Sequence, residues 1–247
     1  MRIIKIIYIA VFTGIVTIFW ATFCVLFLPF FPSGDFSLKY GARNWGKTLL
    51  WLAGIKVKTV RADRFDTKGL YLFMSNHKSA LDILALFVAI PMPLRMVSKK
   101  TYLYVPFMGW AMWAMGFPFV DRADRKKAIE SLRKTARDIR EKRRNILIYP
   151  EGTRSRDGSF QPFKKGPFYT AEEVKIPIVP VIVMESDKLL KPNSLLVRKG
   201  VIYVYFGEPI PTEDYEGEEG RAQLSARVRA AMEEMINIHL ETVETGQ

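Results

Sequence analysis

The stretch Asn76-His77-Lys78-Ser79-Ala80-Leu81-Asp82 places a histidine five positions before an aspartate, in a chain with only two histidines. One imidazole oriented by one carboxylate can deprotonate an alcohol near neutral pH, since free imidazole titrates near 6.5. The carboxylate fixes the tautomer and stabilises the imidazolium that forms. The segment offers no obvious protein nucleophile, so the attacking hydroxyl is expected on the substrate. Ser79 suits a helix N-cap, and Asp82 follows it by three residues ahead of apolar Ile83, Leu84, Leu86 and Phe87. This is a capping-box pattern with Asp in place of Glu. Residues five apart lie about 140° apart around a helix, so the pair cannot share one helical face. Asp82 is therefore expected in a first helical turn and His77 in the loop before it. The β-like run Gly69–Met74 would deliver His77 to a strand's carboxyl end, where open α/β sheets bind ligands.

Three further stretches carry charge or proline at similar places. Gly116-Phe-Pro-Phe-Val-Asp-Arg122 ends an apolar run in an arginine, and Pro150-Glu151-Gly152-Thr153-Arg154-Ser155 does the same after 145–149. Two arginines at neighbouring strand ends would form a cationic cup, and the guanidinium fork suits bidentate phosphate binding. Gly152 permits close backbone approach. Lys164 and Lys165 add ammonium groups near an expected helix start, another anion-friendly place. Ile176-Pro177-Ile178-Val179-Pro180-Val181 is an apolar strand entered through proline, which alone implies only core.

The elements that must hold these groups alternate. Strand-like runs fall at 57–60, 70–74, 95–98, 117–120, 146–149, 178–183 and 201–206, with helical stretches at 80–90, 101–114, 124–143, 167–173 and 221–240. Such alternation predicts an α/β fold, a mostly parallel or mixed sheet flanked by helices. The helix at 124–143 is strongly basic: eleven Lys/Arg stand against four acids from Arg122 to Arg144. It reads as a solvated face, a membrane-facing patch or a dock for an acidic carrier protein. Nucleic acid is disfavoured, because no aromatic residues interleave with these charges.

The net charge of +12 calls for an anionic partner. A single cysteine excludes a disulfide framework, and two distant histidines disfavour a zinc cluster. From Ile6 to Gly34 no side chain is charged, long enough to cross a bilayer and too long for a signal-peptide core. Basic residues flank this run on both sides, so both ends prefer the cytoplasmic side. Pro29 and Pro32 break the first helix. Phe36–Ala53 then sets Lys39, Arg43 and Lys47 in a stripe against Leu38, Trp45, Leu49 and Leu52, as in an interfacial amphipathic helix. Residues 1–54 are thus expected to form a two-helix membrane anchor that dips into one leaflet and returns. Residues 55–247 would form the α/β domain.

Taken in order, NHKSALD, GFPFVDR, EGTR and IPIVPV resemble the four motifs of the glycerolipid acyltransferase family. The likeness covers roughly residues 57–210 and is strongest to the bacterial 1-acylglycerol-3-phosphate acyltransferases. It implies that His77 and Asp82 are the catalytic pair. Gly116, Phe119 and Arg122 match the second motif, with Val120 where isoleucine is usual. Glu151, Gly152 and Arg154 match the third, associated with the acceptor's phosphate, and Lys164 and Lys165 are expected to support them. Pro177 and Pro180 match the fourth, associated with the acyl donor. The implied reaction moves an acyl group from acyl carrier protein or coenzyme A to the sn-2 hydroxyl of lysophosphatidic acid, with no metal or prosthetic group. The implied location is the cytoplasmic face of the inner membrane, and the implied partners are membrane lipids and the thioester carrier. Within the same chemistry, glycerol 3-phosphate or another lysophospholipid is the alternative acceptor. A non-catalytic protein that binds anionic lipid is the alternative of a different class.

Overall fold

Six strands form the main sheet of the computed structural model, which describes residues 2–121, 125–155, 159–191 and 194–244. In chain order these are β1 (Ile55–Val60), β2 (Leu72–Ser75), β3 (Leu94–Met96), β6 (Asn145–Ile148), β7 (Ile178–Met184) and β8 (Gly200–Phe206). Across the sheet the order is β1-β8-β7-β2-β6-β3. Every neighbouring pair is parallel except β7 with β8. The sheet is therefore mixed, as expected. A separate two-stranded ladder pairs β4 (Ser98–Lys99) with β5 (Phe119–Val120).

Successive strand residues face opposite ways, and the apolar side chains divide accordingly. Phe73, Leu147, Val179 and Val181 join one cluster with Leu81, Ala85 and Leu86 of α3 (Leu81–Ala89). Leu72, Met74, Ile146, Ile178 and Ile182 join a second cluster on the other face. That cluster takes residues from α5 (Arg125–Lys142), α6 (Lys165–Val174) and α8 (Gly217–Glu244). β2, β6 and β7 are buried throughout, which is why they read as unbroken apolar runs rather than alternating ones. Pro180 is tolerated in β7 because pairing with β8 begins only at Val181, so its missing N–H is not needed on that side.

The amino-terminal segment is helical twice. α1 (Arg2–Leu26) is apolar and mostly unburied, with Ile7, Val11, Ile15 and Phe19 exposed. A second helix follows, one π-helical turn (Ser37–Ala42) running into α2 (Arg43–Leu52). Its apolar stripe is divided between the domain and the surface, with Leu49 half-buried and Leu52 exposed. Leu38 and Leu50 are buried, and Trp45 packs edge-on against Phe87 of α3. Ala21, Cys24, Leu38, Ala42 and Leu50 all belong to the same cluster as Phe73 and Leu86. The basic stripe is partly as expected, with Lys39 and Lys47 exposed and Arg43 half-buried.

Three boundaries differ from the sequence expectations for identifiable reasons. The 95–98 run is two strands in two sheets, because Arg95 and Ser98 pair with different partners. The 117–120 run shortens to β5 and leaves the main sheet, so it is not a neighbour of β6. The 101–114 helix breaks into a 3₁₀ turn (Lys100–Tyr104) and α4 (Met108–Ala114). Pro106 forces extended backbone on Val105, and Phe107 takes a left-handed φ of 61°. A short helix, α7 (Ser186–Leu189), was not expected from the sequence.

Candidate active site

β2 ends at Ser75, and Asn76 completes the sheet with its side chain. The Asn76 amide donates to Val183 O at 2.9 Å and accepts from Val183 N–H at 2.8 Å. β7 thus remains satisfied while the main chain turns away to present His77. The His77 main chain is held on both sides: its N–H donates to Glu151 Oε1 at 3.0 Å, and its carbonyl accepts from Ser155 N–H at 2.8 Å.

The imidazole is fixed at its edge and on its face. Nδ1 lies 2.9 Å from Asp82 Oδ2. A carboxylate only accepts, so this contact assigns the proton to Nδ1 and leaves the Nε2 lone pair available. Tyr149 stacks on the ring with centroids 4.0 Å apart and planes within 13°. His77 remains 14 % exposed, whereas Asp82 is fully buried.

A buried carboxylate is costly unless its lone pairs are filled. Asp82 Oδ2 also accepts from Lys78 N–H at 2.7 Å and Ser79 N–H at 2.8 Å, and Oδ1 accepts the Ser186 hydroxyl. The expected capping box is therefore half formed, with Asp82 reaching back to the Ser79 amide. The Ser79 hydroxyl donates to Leu190 O and accepts from the Leu81 N–H at 3.3 Å, and α3 begins at Leu81. Asp82 lies in the first turn and His77 in the preceding loop, as the spacing requires.

The Pro150–Ser155 segment follows β6, next to β2 in the sheet. Glu151 is buried and gives its second oxygen to Gln161 N–H at 3.0 Å. Burial raises its pKa above the usual carboxylate range, opposed by the two amide donors from Gln161 and His77. Both oxygens serve backbone amides, so Glu151 shapes the loop instead of facing a ligand. Gly152 has φ +76° with the Lys164 stem across it. Arg154 and Lys164 are exposed, whereas Lys165 is paired with Glu218 at 2.7 Å. Arg122 lies outside the described residues. Gly116 has φ +78°, and a Cβ there would collide with Arg144 Nη1; Phe119 is half-buried in β5. Pro177 and Pro180 sit in the amino-terminal half of the β7 region, and neither lines the cavity described next.

That cavity, about 800 Å³, opens beside His77. Tyr149, Thr153, Arg154, Ser155 and Lys99 line its polar part. Met96, Met108, Ala111, Met112 and Phe117 continue it, and Trp20, Ala21, Cys24 and Ala42 wall it from the amino-terminal helices. Its volume suits an organic ligand, with a mainly apolar wall and a few polar groups at one place. A histidine with its Nε2 lone pair available, two cations and a mainly apolar cavity are thus combined. The arrangement can activate a hydroxyl on a phosphorylated molecule while an alkyl chain lies in the channel.

Four contributors lacked a sequence signal of their own: Asn76, Lys99, Tyr149 and Ser186. Asn76 opens the first motif without a role of its own there, Tyr149 adjoins the third, and Lys99 follows an apolar run, which hints at a strand end. Ser186 lies 104 residues from Asp82 and had no signal. Tyr149→Phe should leave turnover near wild type, since the stack survives. Tyr149→Ala should lower kcat about 10- to 100-fold, the scale of a misplaced catalytic group. Steady-state kinetics beside a melting curve would check this, and equal kcat for the two variants would remove the stack from the account.

A family model described as Acyltransferase matches residues 56–184. The chain is 37 % identical over 175 residues to a 1-acyl-sn-glycerol-3-phosphate acyltransferase of Saccharomyces cerevisiae, covering 70 % of this chain and 57 % of that protein. It is 29 % identical over 236 residues to the protein of that name from Escherichia coli, covering 95 % and 92 %. The crystal structure of the 1-acyl-sn-glycerophosphate (LPA) acyltransferase PlsC from Thermotoga maritima superposes with a TM-score of 0.77 at 20 % identity, covering 95 % of this chain and 98 % of that one. At that identity the likeness concerns the fold.

Proposed function

Because the chain belongs to the acyltransferase family, we propose that it acylates the sn-2 hydroxyl of a 1-acylglycerol 3-phosphate from a thioester donor, giving phosphatidic acid. The observation that carries this reading is the His77–Asp82 pair at the cationic end of an apolar cavity. The names of the relatives support the same acceptor.

In this reaction His77 Nε2 takes the proton from the acceptor hydroxyl. The oxygen attacks the thioester carbonyl, a tetrahedral oxyanion forms, and the C–S bond breaks on its collapse. His77 then returns the proton to the departing thiolate, so atoms and charges balance without a cofactor. Base assistance of this kind is worth about 10²–10⁴-fold. Arg154 and Lys99 hold the acceptor's phosphate and so place its hydroxyl against His77. Glu151 acts one step back, through the loop and the His77 amide. Pro177 and Pro180 support β7, whose end carries Ser186, and reach the donor only through that strand.

The apolar channel receives the donor's acyl chain. Ala42→Phe, which fills the wall contributed by the second helix, should shift preference toward shorter chains, with long-chain donors losing about tenfold. An unchanged chain-length profile would contradict the assignment.

α1 and the following helix anchor the enzyme in one leaflet at the cytoplasmic face. α1 contains the 18-residue stretch Ile9–Leu26, apolar enough to cross a membrane and only 17 % buried. Trp51, Trp110 and Trp113 are exposed, side chains suited to headgroup level. A cysteine added at the amino terminus should label only from the cytoplasmic side; labelling only from the outer side would contradict a re-entrant anchor. The acceptor is tested by crossing lysophosphatidic acid and glycerol 3-phosphate with acyl carrier protein and coenzyme A thioesters. The expected result is phosphatidic acid from the former acceptor, whereas acylation of glycerol 3-phosphate alone would replace this reading.

A further inference from the structure

A second cavity, of about 210 Å³, lies at the other end of the main sheet. Its walls come from Thr67–Leu70 before β2, Met92 and Pro93 before β3, and Arg143 and Arg144 before β6. It therefore sits at the amino ends of three parallel strands, whereas His77, Lys99 and Arg154 follow their carboxyl ends. Four-residue strands separate the two places by about 13 Å at ~3.3 Å per residue.

The walls are strongly cationic. Lys68, Arg95, Arg143 and Arg144 face a single carboxylate, Asp35. The Arg95 side chain is only 1 % exposed. Its Nε donates to Met115 O at 2.8 Å, while Nη2 donates to Ser33 O at 2.6 Å and pairs with Asp35 at 3.0 Å. Nη1 is buried and has no hydrogen-bond partner. Arg144 Nη2 converges on the same Ser33 carbonyl at 3.3 Å. Burial, and then the neighbouring Arg144 charge, lower the Arg95 pKa to about 10, partly opposed by Asp35. Arg143 is exposed in a left-handed conformation, φ 46°, with no ion pair among the described residues. Four cationic side chains line the pocket against one carboxylate, which pairs with Arg95, and this excess of positive charge is a setting that an anion would complete.

We propose that this pocket is a second anion site, separate from the transfer site, that takes a phosphate group. A planar guanidinium fork suits phosphate oxygens better than a point charge would, and three arginines line this pocket. The phosphate belongs to a lipid headgroup or to free phosphate, which present the same chemistry. Phe30 and Phe31, 75 % and 41 % exposed, stand just before the Ser33 carbonyl that both arginines hold. That neighbourhood favours the headgroup.

The test uses the full chain in neutral detergent, with radiolabelled inorganic phosphate as probe in equilibrium dialysis. Arg154→Gln together with Lys99→Gln removes both cations that line the cavity beside His77, and this double variant should still bind phosphate. Adding Arg143→Gln and Arg144→Gln should weaken that binding by about tenfold for each lost charge-assisted bond. Lys68→Gln, an exposed change, gives a second variant whose melting temperature should not move. No phosphate binding by the Lys99→Gln/Arg154→Gln variant, or unaltered binding after the further changes, would overturn the proposal and leave Arg95 and Arg144 as a clamp on the Ser33–Asp35 turn. The source is decided with nanodiscs of phosphatidylglycerol against phosphatidylcholine. Retention that needs Arg143 and Arg144 supports the site with a headgroup in it. Retention indifferent to them, with phosphate binding still sensitive, supports the site with a soluble phosphate.

Discussion

His77→Ala is expected to lower acyl transfer by about 10²–10⁴-fold, the usual worth of a positioned base, with little change in folding. The side chain is partly exposed and stacks on Tyr149. Its main-chain bonds to Glu151 and Ser155 survive the substitution, so the loop keeps its shape. The loss should fall on kcat, because in the proposed reaction Arg154 and Lys99 bind the acceptor without the imidazole. Turnover of phosphatidic acid beside a melting curve checks this. A rise in acceptor KM with unchanged kcat would mean that His77 binds substrate and does not act as the base.

Asp82→Asn is expected to be comparably severe for a different reason. Oδ2 accepts from three N–H groups, those of His77, Lys78 and Ser79. An amide has one accepting oxygen, so its NH₂ group must meet either Ser186 or that cluster of donors. If the oxygen keeps the cluster, the imidazole loses the charge that stabilises its protonated form. If the amide turns, it donates to Nδ1 and moves the imidazole proton to Nε2, which can then no longer accept one. The corresponding change in serine proteases costs about 10⁴-fold in kcat, and a fall of about 10³–10⁴-fold is expected here. Folding should also weaken, since leaving a buried donor unmet costs about 1–3 kcal/mol. Ser186→Ala removes one bond to Oδ1 and should cost far less, so equal losses for the two variants would argue against a charge-specific role.

The pair itself was legible because its logic is local. The separation of five, the cap residue and the apolar run together place Asp82 in a first turn and His77 before it. The strand–helix alternation was legible for a similar reason: β2, β6 and β7 are buried on both faces and read as continuous apolar runs. What closed the site was not local. Ser186 reaches Asp82, and Asn76 reaches Val183, only because β7 pairs with β2 in the parallel sheet. Lys99 reaches the cavity because the chain after β3 leaves the main sheet to pair with β5, a split that an apolar run cannot announce.

The amino-terminal helices show the limit most clearly. The second helix was expected to turn Leu38, Trp45, Leu49 and Leu52 toward a membrane; Leu38 is buried in the domain's core and Trp45 packs against Phe87, while Leu52 stays exposed. Ala21, Cys24 and Ala42 of the same core also wall the cavity beside the His77–Asp82 pair. Hydrophobic residues serve lipid, core and substrate chain equally well, and only the tertiary packing assigns them. The charged residues divided in the same way. Arg154 stands at the cavity, Glu151 builds the loop, and Lys165 is engaged with Glu218 on α8.

The most direct measurement follows a radiolabelled acyl thioester in a rapid-quench experiment on wild type and His77→Ala. With lysophosphatidic acid present, wild type should pass label straight to phosphatidic acid and His77→Ala should not. With the acceptor omitted, neither protein should retain label after denaturation. Acyl label held covalently by wild type and then released to added acceptor would contradict direct transfer to the substrate hydroxyl. Equal phosphatidic acid from both proteins would contradict the role of His77.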